Sequence, residues 1–278
     1  MSKNSVKRVV NAIQKFYPIS LADKSWDNTG LLVDSSYEEP ESSTTQQLKI
    51  LLTIDLTQSV AQEAINKQCK FIMSYHPFIF RGLKSITQQD PQQRSLIKLI
   101  QNNISVYCPH TAVDSANGGV NDYLVKIVTD SENSNSSKPI EPDSNDPKCG
   151  MGRIVELQEP RSITKIIGNV KKGLDLRHLQ VAISNEGTEK PIKTVAICAG
   201  SGSGVFKGVE ADLFLTGELS HHEALYLKES GSHVICCNHS NTERGFLKVI
   251  QKQLADELDL SEENIIISES DKDPFETW

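Results

Sequence analysis

Histidine and acidic side chains recur in four short polar segments, each of which follows an apolar run. The segments are "SYHP" with His76, "HTAVD" with His110 and Asp114, "TGELSHH" with Glu218, His221 and His222, and "NHSNTE" with His239 and Glu243. Neutral imidazole and carboxylate oxygen are both suitable ligands for Zn²⁺, Mn²⁺ and Fe²⁺. In parallel α/β sheets, ligands bind beyond the carboxyl ends of strands. The pattern therefore predicts a metal site at strand ends.

The two acids nearest the histidines also fit purely structural roles. Ser240-x-x-Glu243 precedes the apolar-periodic segment "GFLKVIQKQL" and fits a capping box, in which the glutamate accepts a hydrogen bond from the cap residue's N–H. Asp114 fits a turn or helix-cap acid before "NGGVNDYL". The sequence alone leaves both interpretations open for each acid.

The histidines have alternatives as well. His76 precedes Pro77 and can end a strand, and for His110 we favour a hydrogen-bonded structural histidine over a ligand. His221 and His222 begin a segment typical of an exposed helix, which favours solvated side chains. Glu218 is singled out by internal sequence alignment alone.

Two glycine-containing segments favour turns over binding motifs. The loop "AGSGSG" could offer N–H groups to a phosphate. It lacks the Gly-Lys-Ser/Thr ending of a P-loop and the glycine spacing of a dinucleotide site, so a connecting turn is favoured. The segment "WDNTG" indicates a turn that enters the strand "LLVD".

Short β-branched runs alternate with helical patterns along the chain, which predicts an α/β fold with mostly parallel sheets. A segment rich in Ser, Asn, Asp and Pro, 129–150, predicts a flexible linker or loop. It separates a predicted N-terminal lobe, 1–128, from a C-terminal lobe, 151–278.

The two halves are similar to each other in sequence. "ISVYCPHTAVD" and "HVICCNHSNTE" both read apolar strand, histidine, hydroxyl residue, two spacers and acid. Upstream, the segment that ends in "SYHP" aligns with the segment that ends in "TGELS", which places His76 opposite Glu218. We infer two related α/β lobes, which can be intertwined.

Charge and composition exclude several classes of protein. The 278 residues carry a formal net charge of −7, which offers no footprint for nonspecific nucleic-acid binding. No apolar run approaches the roughly 18 residues that cross a membrane. Six cysteines without a C-x-x-C pair suit reduced thiols in a core, and hence a reducing compartment such as the cytoplasm.

The N-terminal segment has two interpretations. No acidic residue precedes Asp23, whereas four basic residues do, which is typical of a mitochondrial presequence. Arginine is scarce there, and "VKRVVNAIQKF" fits an ordinary amphipathic helix, which we favour.

Taken together and in order, the motifs resemble those of the NIF-three-like family, named after an NGG-interacting factor and carried in bacteria under the label of a type 2 GTP cyclohydrolase I. The wording of "SYHP" and "HSNTERG" is similar to that of the eukaryotic branch. The resemblance covers nearly the whole chain, through "WDNTGLLV", "SYHPFIF", "HTAVDSANGGVNDYL", "CAGSGSG", "DLFLTGELSHHEAL", "NHSNTERGFL" and "IIISESDKDP".

The resemblance implies a ring-shaped homohexamer of two-lobed α/β chains, with a pair of divalent metals in a cleft between the lobes. It places the metal ligands on His76, Asp114, His239 and Glu243, with Glu243 bridging the ions. Bacterial members usually carry two adjacent histidines before the proline, where this chain has Tyr75 and His76. A phenol titrates near pH 10 and is a poor ligand, so we expect one or two ions of Zn, Mn or Fe per chain.

Two functions are compatible with this sequence. The first is a metal-dependent hydrolase acting on a nucleotide or another phosphorylated or cyclic-amide small molecule, with Glu218 as a catalytic acid that handles protons. The second is a non-catalytic regulatory or scaffold protein that binds a transcriptional adaptor. For either function we expect a cytoplasmic location, with mitochondrial or nuclear presence as the alternatives. DNA binding is disfavoured by the net charge.

Overall fold

A computed structural model describes residues 1–37, 48–131 and 136–277. The chain forms two compact units, each discontinuous in sequence. Unit 1 consists of Met1–Val113 and Phe246–Lys272, and unit 2 consists of Asp114–Gly245 and Asp273–Trp278. Residues 246–272 return to unit 1, whereas the lobes 1–128 and 151–278 are continuous in sequence, and that division into lobes stays a prediction.

Short strands and medium-length helices alternate along the described residues. The strands are β1 (Gly30–Val33), β2 (Ile50–Thr53), β3 (Phe71–Ser74), β4 (Ser105–Cys108), β5 (Ser136–Lys138), β6 (Glu141–Pro142), β7 (Gly150–Met151), β8 (Arg153–Arg161), β9 (Gln180–Ala182), β10 (Ile192–Ser201), β11 (Leu213–Glu218), β12 (His233–Cys236) and β13 (Ile265–Ile267). The helices are α1 (Lys3–Phe16), α2 (Gln58–Asn66), α3 (Pro91–Gln101), α4 (Thr111–Ser115), α5 (Val120–Thr129), α6 (Ile163–Leu174), α7 (His221–Glu229), α8 (Asn241–Arg244) and α9 (Leu247–Leu258).

Unit 1 is built on a sheet of strand order β1-β4-β3-β2-β13. Every neighbouring pair is parallel except β1 with β4. Strands β2, β3 and β4 are buried along their whole length, as continuous apolar runs covered on both faces require. The polar residues that follow these strands therefore leave the core together at one edge of the sheet.

The N-terminal helix α1 belongs to unit 1. The Ser2 side chain caps it, and its apolar stripe, which includes Val9 and Ile13, is buried. The Arg8 guanidinium donates a hydrogen bond to the Leu258 carbonyl at the end of α9. The favoured interpretation of this segment, an amphipathic helix, is confirmed.

Unit 2 is built on a sheet of strand order β5-β8-β10-β11-β12-β9. Strands β10, β11 and β12 are parallel, and the outer pairs are antiparallel. A polar segment follows the carboxyl end of each of these parallel strands. The predicted α/β class, with largely parallel sheets, is confirmed for the described residues.

The two units share a strand pattern that matches the internal sequence similarity. In each, three consecutive parallel strands lie side by side, and an antiparallel strand pairs with the third. The first connection differs, because α2 joins β2 to β3 whereas turns over 202–212 join β10 to β11. This difference explains why the two upstream segments align only approximately.

The predicted linker, 129–150, lies partly within the described residues. Residues 132–135 lie outside the described residues. Around them, β5 pairs with β8 and β6 pairs with β7. No helix in the described ranges has both the length and the apolar character that crossing a membrane demands. All six cysteines are free thiols, and five of them are buried.

Candidate metal centre

In unit 1, His76 lies two residues beyond the end of β3. Its Nδ1 atom is 2.8 Å from Oδ1 of Asp55, which lies two residues beyond β2. Because an ionised carboxylate only accepts hydrogen bonds, the proton is assigned to Nδ1. The neutral imidazole then carries its lone pair on Nε2, which is the form of histidine that binds a metal.

His110 repeats this arrangement two residues beyond β4. Its Nδ1 atom is 2.7 Å from Oδ1 of Asp27, whose side chain is fully buried. Burial raises the pKa of Asp27, but hydrogen bonds from His110 and Thr111 outweigh it, so the pKa lies below its usual value. The favoured interpretation of His110 as a hydrogen-bonded histidine agrees with this geometry.

In unit 2, His239 lies three residues beyond β12 and contacts two glutamates. Its Nδ1 atom is 2.9 Å from Oε1 of Glu218, the last residue of β11. Its Nε2 atom is 3.5 Å from Oε1 of Glu243, which is buried. The imidazole is therefore oriented by one carboxylate and directs its other nitrogen towards a second.

Glu243 does not form the alternative capping box. Ser240 has helical backbone angles (φ −68°, ψ −19°) and its side chain makes no cap hydrogen bond. Instead, Ser240 Oγ donates to Asp273 Oδ2 at 3.1 Å and accepts from the Arg244 guanidinium at 2.9 Å. The cap interpretation is wrong at this position, and Glu243 is buried for another reason.

Two glycines allow the backbone to approach His239 and Glu243. A Cβ atom on Gly200 would lie 2.8 Å from Nε2 of His239 and 2.9 Å from Oε1 of Glu243. Gly200 also has φ +64°, which L side chains rarely adopt. A Cβ atom on Gly217 would lie 2.5 Å from the Gly200 carbonyl oxygen and 2.7 Å from Cα of His239. No residue larger than glycine fits at either position.

Buried polar side chains fix the backbone at Gly200. Its N–H donates to Thr242 Oγ1 at 2.8 Å, and its carbonyl accepts from Thr216 Oγ1 at 3.1 Å. The neighbouring Ala199 N–H donates to Oδ1 of the buried Asn121 at 2.9 Å. These contacts occupy the N–H of Gly200, so the preference for a connecting turn over a phosphate loop agrees with the structure.

Asp114 lies in α4 and is buried. Its carbonyl accepts a hydrogen bond from Nδ2 of Asn121 at 3.0 Å, which links its backbone to the same amide that holds Ala199. Within unit 2, the imidazole of His239 and the carboxylate of Glu243 could contribute to a metal site. The assignment of Asp114 as a ligand stays a prediction.

Tyr75 is fully buried, in the position where the family resemblance leads us to expect a histidine. Its ring meets the rings of His76 and His110 edge to face, at centroid distances of 5.5 and 6.1 Å. In this chain the position therefore packs against the imidazoles of unit 1.

His221 and His222 occupy the exposed first turn of α7, as the solvated interpretation predicts. His222 lines a cavity of about 560 Å³ whose floor includes Phe206 and Leu227. That cavity does not include the strand-end histidines. The true capping box of this region forms between Ser220 and Glu223 at the start of α7.

The donor set fits a transition metal. Imidazole nitrogen and carboxylate oxygen both suit Zn²⁺, Mn²⁺ and Fe²⁺. His76 and His239 each have a carboxylate on Nδ1, the arrangement that fixes the ring and the tautomer of metal-ligating histidines. Glu218, predicted as a catalytic acid, makes this contact with His239, which gives it an orienting position.

Sequence reasoning missed Asp27, Asp55, Gly200 and Gly217. A signal existed for the aspartates, because Asp55 follows the strand "ILLT" closely and Asp27 lies in "WDNTG". No local signal distinguished the two glycines from ordinary turn glycines, because their roles depend on side chains that lie far away in the sequence.

Comparisons with known proteins agree with this architecture. Residues 4–274 match the model of the Duf34/NIF3 (NGG1p interacting factor 3) family. The chain is 47% identical to NGG1-interacting factor 3 of Saccharomyces cerevisiae, across 99% of this chain and 98% of the yeast protein. It is 33% identical to human NIF3-like protein 1, across 98% of this chain and 92% of the human protein.

Solved structures have the same fold. A hypothetical protein of Staphylococcus aureus, SA1388, superposes with a TM-score of 0.79 at 24% identity, across 97% of this chain and 98% of that chain. Reduced HcgD from Methanocaldococcus jannaschii superposes with a TM-score of 0.75 at 26% identity, with the same coverage of both chains.

Proposed function

Because the chain belongs to the Duf34/NIF3 family, we propose that it binds a divalent transition metal and acts as a hydrolase on a nucleotide or another small molecule. The observation that carries the proposal is the pairing of His239 with Glu218 on one nitrogen and its approach to the buried Glu243 on the other. A buried carboxylate is unfavourable unless it is paired or binds a metal.

The metal ligands in this proposal are His76, His239 and Glu243, with Asp114 as a further ligand. The oriented imidazole of His76 in unit 1 and the contact of His239 with Glu243 in unit 2 support the first three. The metal is Zn, Mn or Fe, with one or two ions per chain. Tyr75 stands where the resemblance leads us to expect a histidine, and its ring packs against the imidazoles, which favours one ion.

The protein's own residues prepare the site in three ways. Asp55 and Glu218 hold the imidazoles of His76 and His239 as Nδ1–H tautomers. Gly200 leaves the space beside Glu243 that a side chain would fill. A bound metal would supply Lewis acidity and lower the pKa of a bound water. Glu218 is 57% exposed, so it is accessible to accept or return a proton at Oε1 or Oε2 during turnover.

The first test is elemental analysis of the purified wild type, Glu243→Ala and the control Glu229→Ala, an exposed glutamate of α7. We expect about one or two ions in the wild type and the control, and loss of metal in Glu243→Ala. A wild type that stays empty after incubation with Zn²⁺, Mn²⁺ and Fe²⁺ contradicts the proposal.

The second test addresses the hydrolase. Metal-stimulated turnover of a panel of nucleotides and phosphoesters should disappear in His239→Ala and persist in His222→Ala, which changes an exposed histidine of α7. Equal turnover in both variants would assign the activity to another site or to a contaminant.

A second function, a regulatory or scaffold protein that binds a transcriptional adaptor, is favoured by one specific observation. The yeast relative, 47% identical to this chain, is named for an interaction with NGG1. Silence across the substrate panel, together with retained adaptor binding in His239→Ala, would support this alternative. Assembly into a homohexamer and a cytoplasmic location belong to the proposal, and light scattering of the purified protein tests the former.

A further inference from the structure

Unit 1 displays two large aromatic side chains that contact each other at its surface. Trp26, in the turns before β1, is 52% exposed, and Phe80, in the segment after β3, is 48% exposed. Their ring centroids lie 6.1 Å apart and their planes are inclined at 50°. Single exposed apolar residues are common, but a contacting aromatic pair offers two ring faces to a ligand.

Hydrogen bonds, rather than burial, hold the indole in place. Trp26 Nε1 donates to Asp23 Oδ2 at 2.8 Å. Asp23 is fixed in turn, because its N–H donates to Thr111 Oγ1 at 2.9 Å and its Oδ1 accepts from the Ser25 hydroxyl at 2.6 Å. An oriented yet exposed indole loses little conformational entropy when a ligand binds to it.

The segment that carries Phe80 is tied to the same surface. The Asn28 side-chain amide donates to the carbonyl of Ile79, the residue before Phe80. The Gln92 side chain, from α3, donates to the Phe78 carbonyl. The backbone on the N-terminal side of Phe80 is therefore anchored both to the turn of Trp26 and to a helix.

The aromatic pair is continuous with the imidazoles at the strand ends. The Trp26 ring lies 5.6 Å from the ring of His110, at 86°, and His110 lies 5.5 Å from His76, at 84°. A ligand that rests on Trp26 is therefore next to His110, whose ring contacts His76, the histidine that we assign to the metal. This continuity distinguishes the pair from an isolated apolar patch.

We propose that Trp26 and Phe80 form the binding surface for a planar heteroaromatic ring in the substrate of the metal site. The inference rests on the proposed function, which it deepens by naming a chemical class of substrate. Arg81 and Lys84 follow Phe80 in the same exposed segment and supply positive charge for an anionic group on that ligand. The proposed class of substrate is thus a heteroaromatic compound with an anionic group, as in a nucleotide.

The test uses Trp26 as its own reporter. The chain has two tryptophans, so in a Trp278→Phe background the fluorescence comes from Trp26 alone. Acrylamide should quench this fluorescence efficiently in the assembled protein. An indole shielded from acrylamide would mean that a second copy covers the surface, and the inference would be overturned.

Ligand titrations then separate the ring from the anion. The probes are adenosine 5′-monophosphate, guanosine 5′-monophosphate and cytidine 5′-monophosphate, with ribose 5-phosphate as the ringless control. We expect the nucleotides to quench Trp26 saturably and ribose 5-phosphate to have no effect. Phe80→Ala should weaken nucleotide binding about tenfold, the scale of one stacking contact. Phe275→Ala, which removes a ring that is 77% exposed in unit 2, should leave it unchanged.

The inference is overturned if none of the three nucleotides quenches Trp26 fluorescence or if ribose 5-phosphate quenches it equally. An unchanged nucleotide affinity in Phe80→Ala would also overturn it. Metal content is measured on the same samples, after chelation and after reloading with Zn²⁺. Metal binding without ring binding defeats this inference alone. Phe80-dependent ring binding in a chain that takes up no metal defeats the proposed function and leaves the ring-binding surface standing.

Discussion

The Nδ1 atom of His239 lies 2.9 Å from Oε1 of Glu218, although helix α7 separates the two residues in the sequence. Glu218 ends β11, and His239 follows the neighbouring strand β12. The two strand-end histidines of unit 1 each make the same contact with an aspartate. In every case a carboxylate fixes Nδ1 and thereby determines the direction of Nε2. This shared orienting contact supports a metal site more strongly than the presence of histidines alone does.

Removing the orienting carboxylate of His239 should weaken metal binding. In Glu218→Ala, the imidazole can rotate and change tautomer, so we expect affinity for Zn²⁺ to fall about 10- to 100-fold. Isothermal titration of the metal-free protein measures this loss. The control is Glu229→Ala. Equal affinities for Zn²⁺ in the two variants would contradict the orienting role of Glu218.

Glycine at position 200 should be required for the site. A Cβ atom there meets His239 Nε2 and Glu243 Oε1 below 3.0 Å, at φ +64°. We expect Gly200→Ala to lose metal binding at least tenfold and to lower the free energy of unfolding by about 1–3 kcal/mol. Urea unfolding and elemental analysis measure the two effects.

Gly204→Ala is the matched control, because a Cβ atom at Gly204 meets nothing within 4 Å. It lies in the same glycine-rich segment, so a general intolerance of the loop would affect both variants. If Gly200→Ala retained wild-type metal content, the close approach of the backbone to the ligands would have no role in binding.

The fold class and the strand-end placement of the histidines followed from the sequence for a physical reason. The runs at β2, β3 and β4 are mostly apolar and fully buried, which indicates strands covered on both faces, and a polar segment follows each run. A parallel sheet brings such ends together whatever the loops do.

The discontinuous units and the supporting residues could not be predicted in this way. Strand β13 pairs with β2 across more than 200 residues of sequence, and its register depends on tertiary contacts. Gly200 is constrained by the side chain of His239, and no local sequence pattern predicts this contact. Ser240-x-x-Glu243 fits a capping box by spacing, yet the Ser240 hydroxyl bonds to Asp273 instead.

Acid should destabilise the protein through Glu63. Burial raises the pKa of this carboxyl, but hydrogen bonds from Ser268, Glu269 and Lys67 lower it to about 2. A lowered pKa in the folded state contributes stability above the unfolded value of about 4.5, and that stability is lost as pH falls towards 2. The contribution is on the order of 3 kcal/mol, because each pKa unit corresponds to about 1.4 kcal/mol.

Substitution isolates this contribution. Glu63→Gln keeps the shape but removes the charge, so its loss of stability in urea unfolding should be largest at pH 7 and should fall to about half or less at pH 3. Glu269→Gln changes a carboxylate that also lies near Lys67 but is largely exposed, and it should have little effect at either pH. A pH-independent difference between Glu63→Gln and the wild type would contradict the linkage.

His233 should also destabilise the protein at mildly acidic pH, by the opposite kind of pKa shift. It is fully buried at the start of β12, and its Nδ1 accepts a hydrogen bond from the Ser184 N–H at 3.1 Å. Burial lowers the pKa of His233, and the nearby Lys190 lowers it further, against the opposing effects of Glu186 and Asp212. The folded state therefore favours the neutral imidazole.

The sign of the effect follows from proton binding. Below the unfolded pKa of about 6.5, the unfolded chain binds a proton that the folded chain excludes, so the free energy of unfolding falls as pH decreases from 7 to 5. In His233→Asn, Oδ1 can accept from Ser184 without titrating, so the fall in stability over this range should be shallower than in the wild type. The exposed His178→Asn should retain the wild-type slope, and the same slope in all three proteins would assign the pH dependence to other groups.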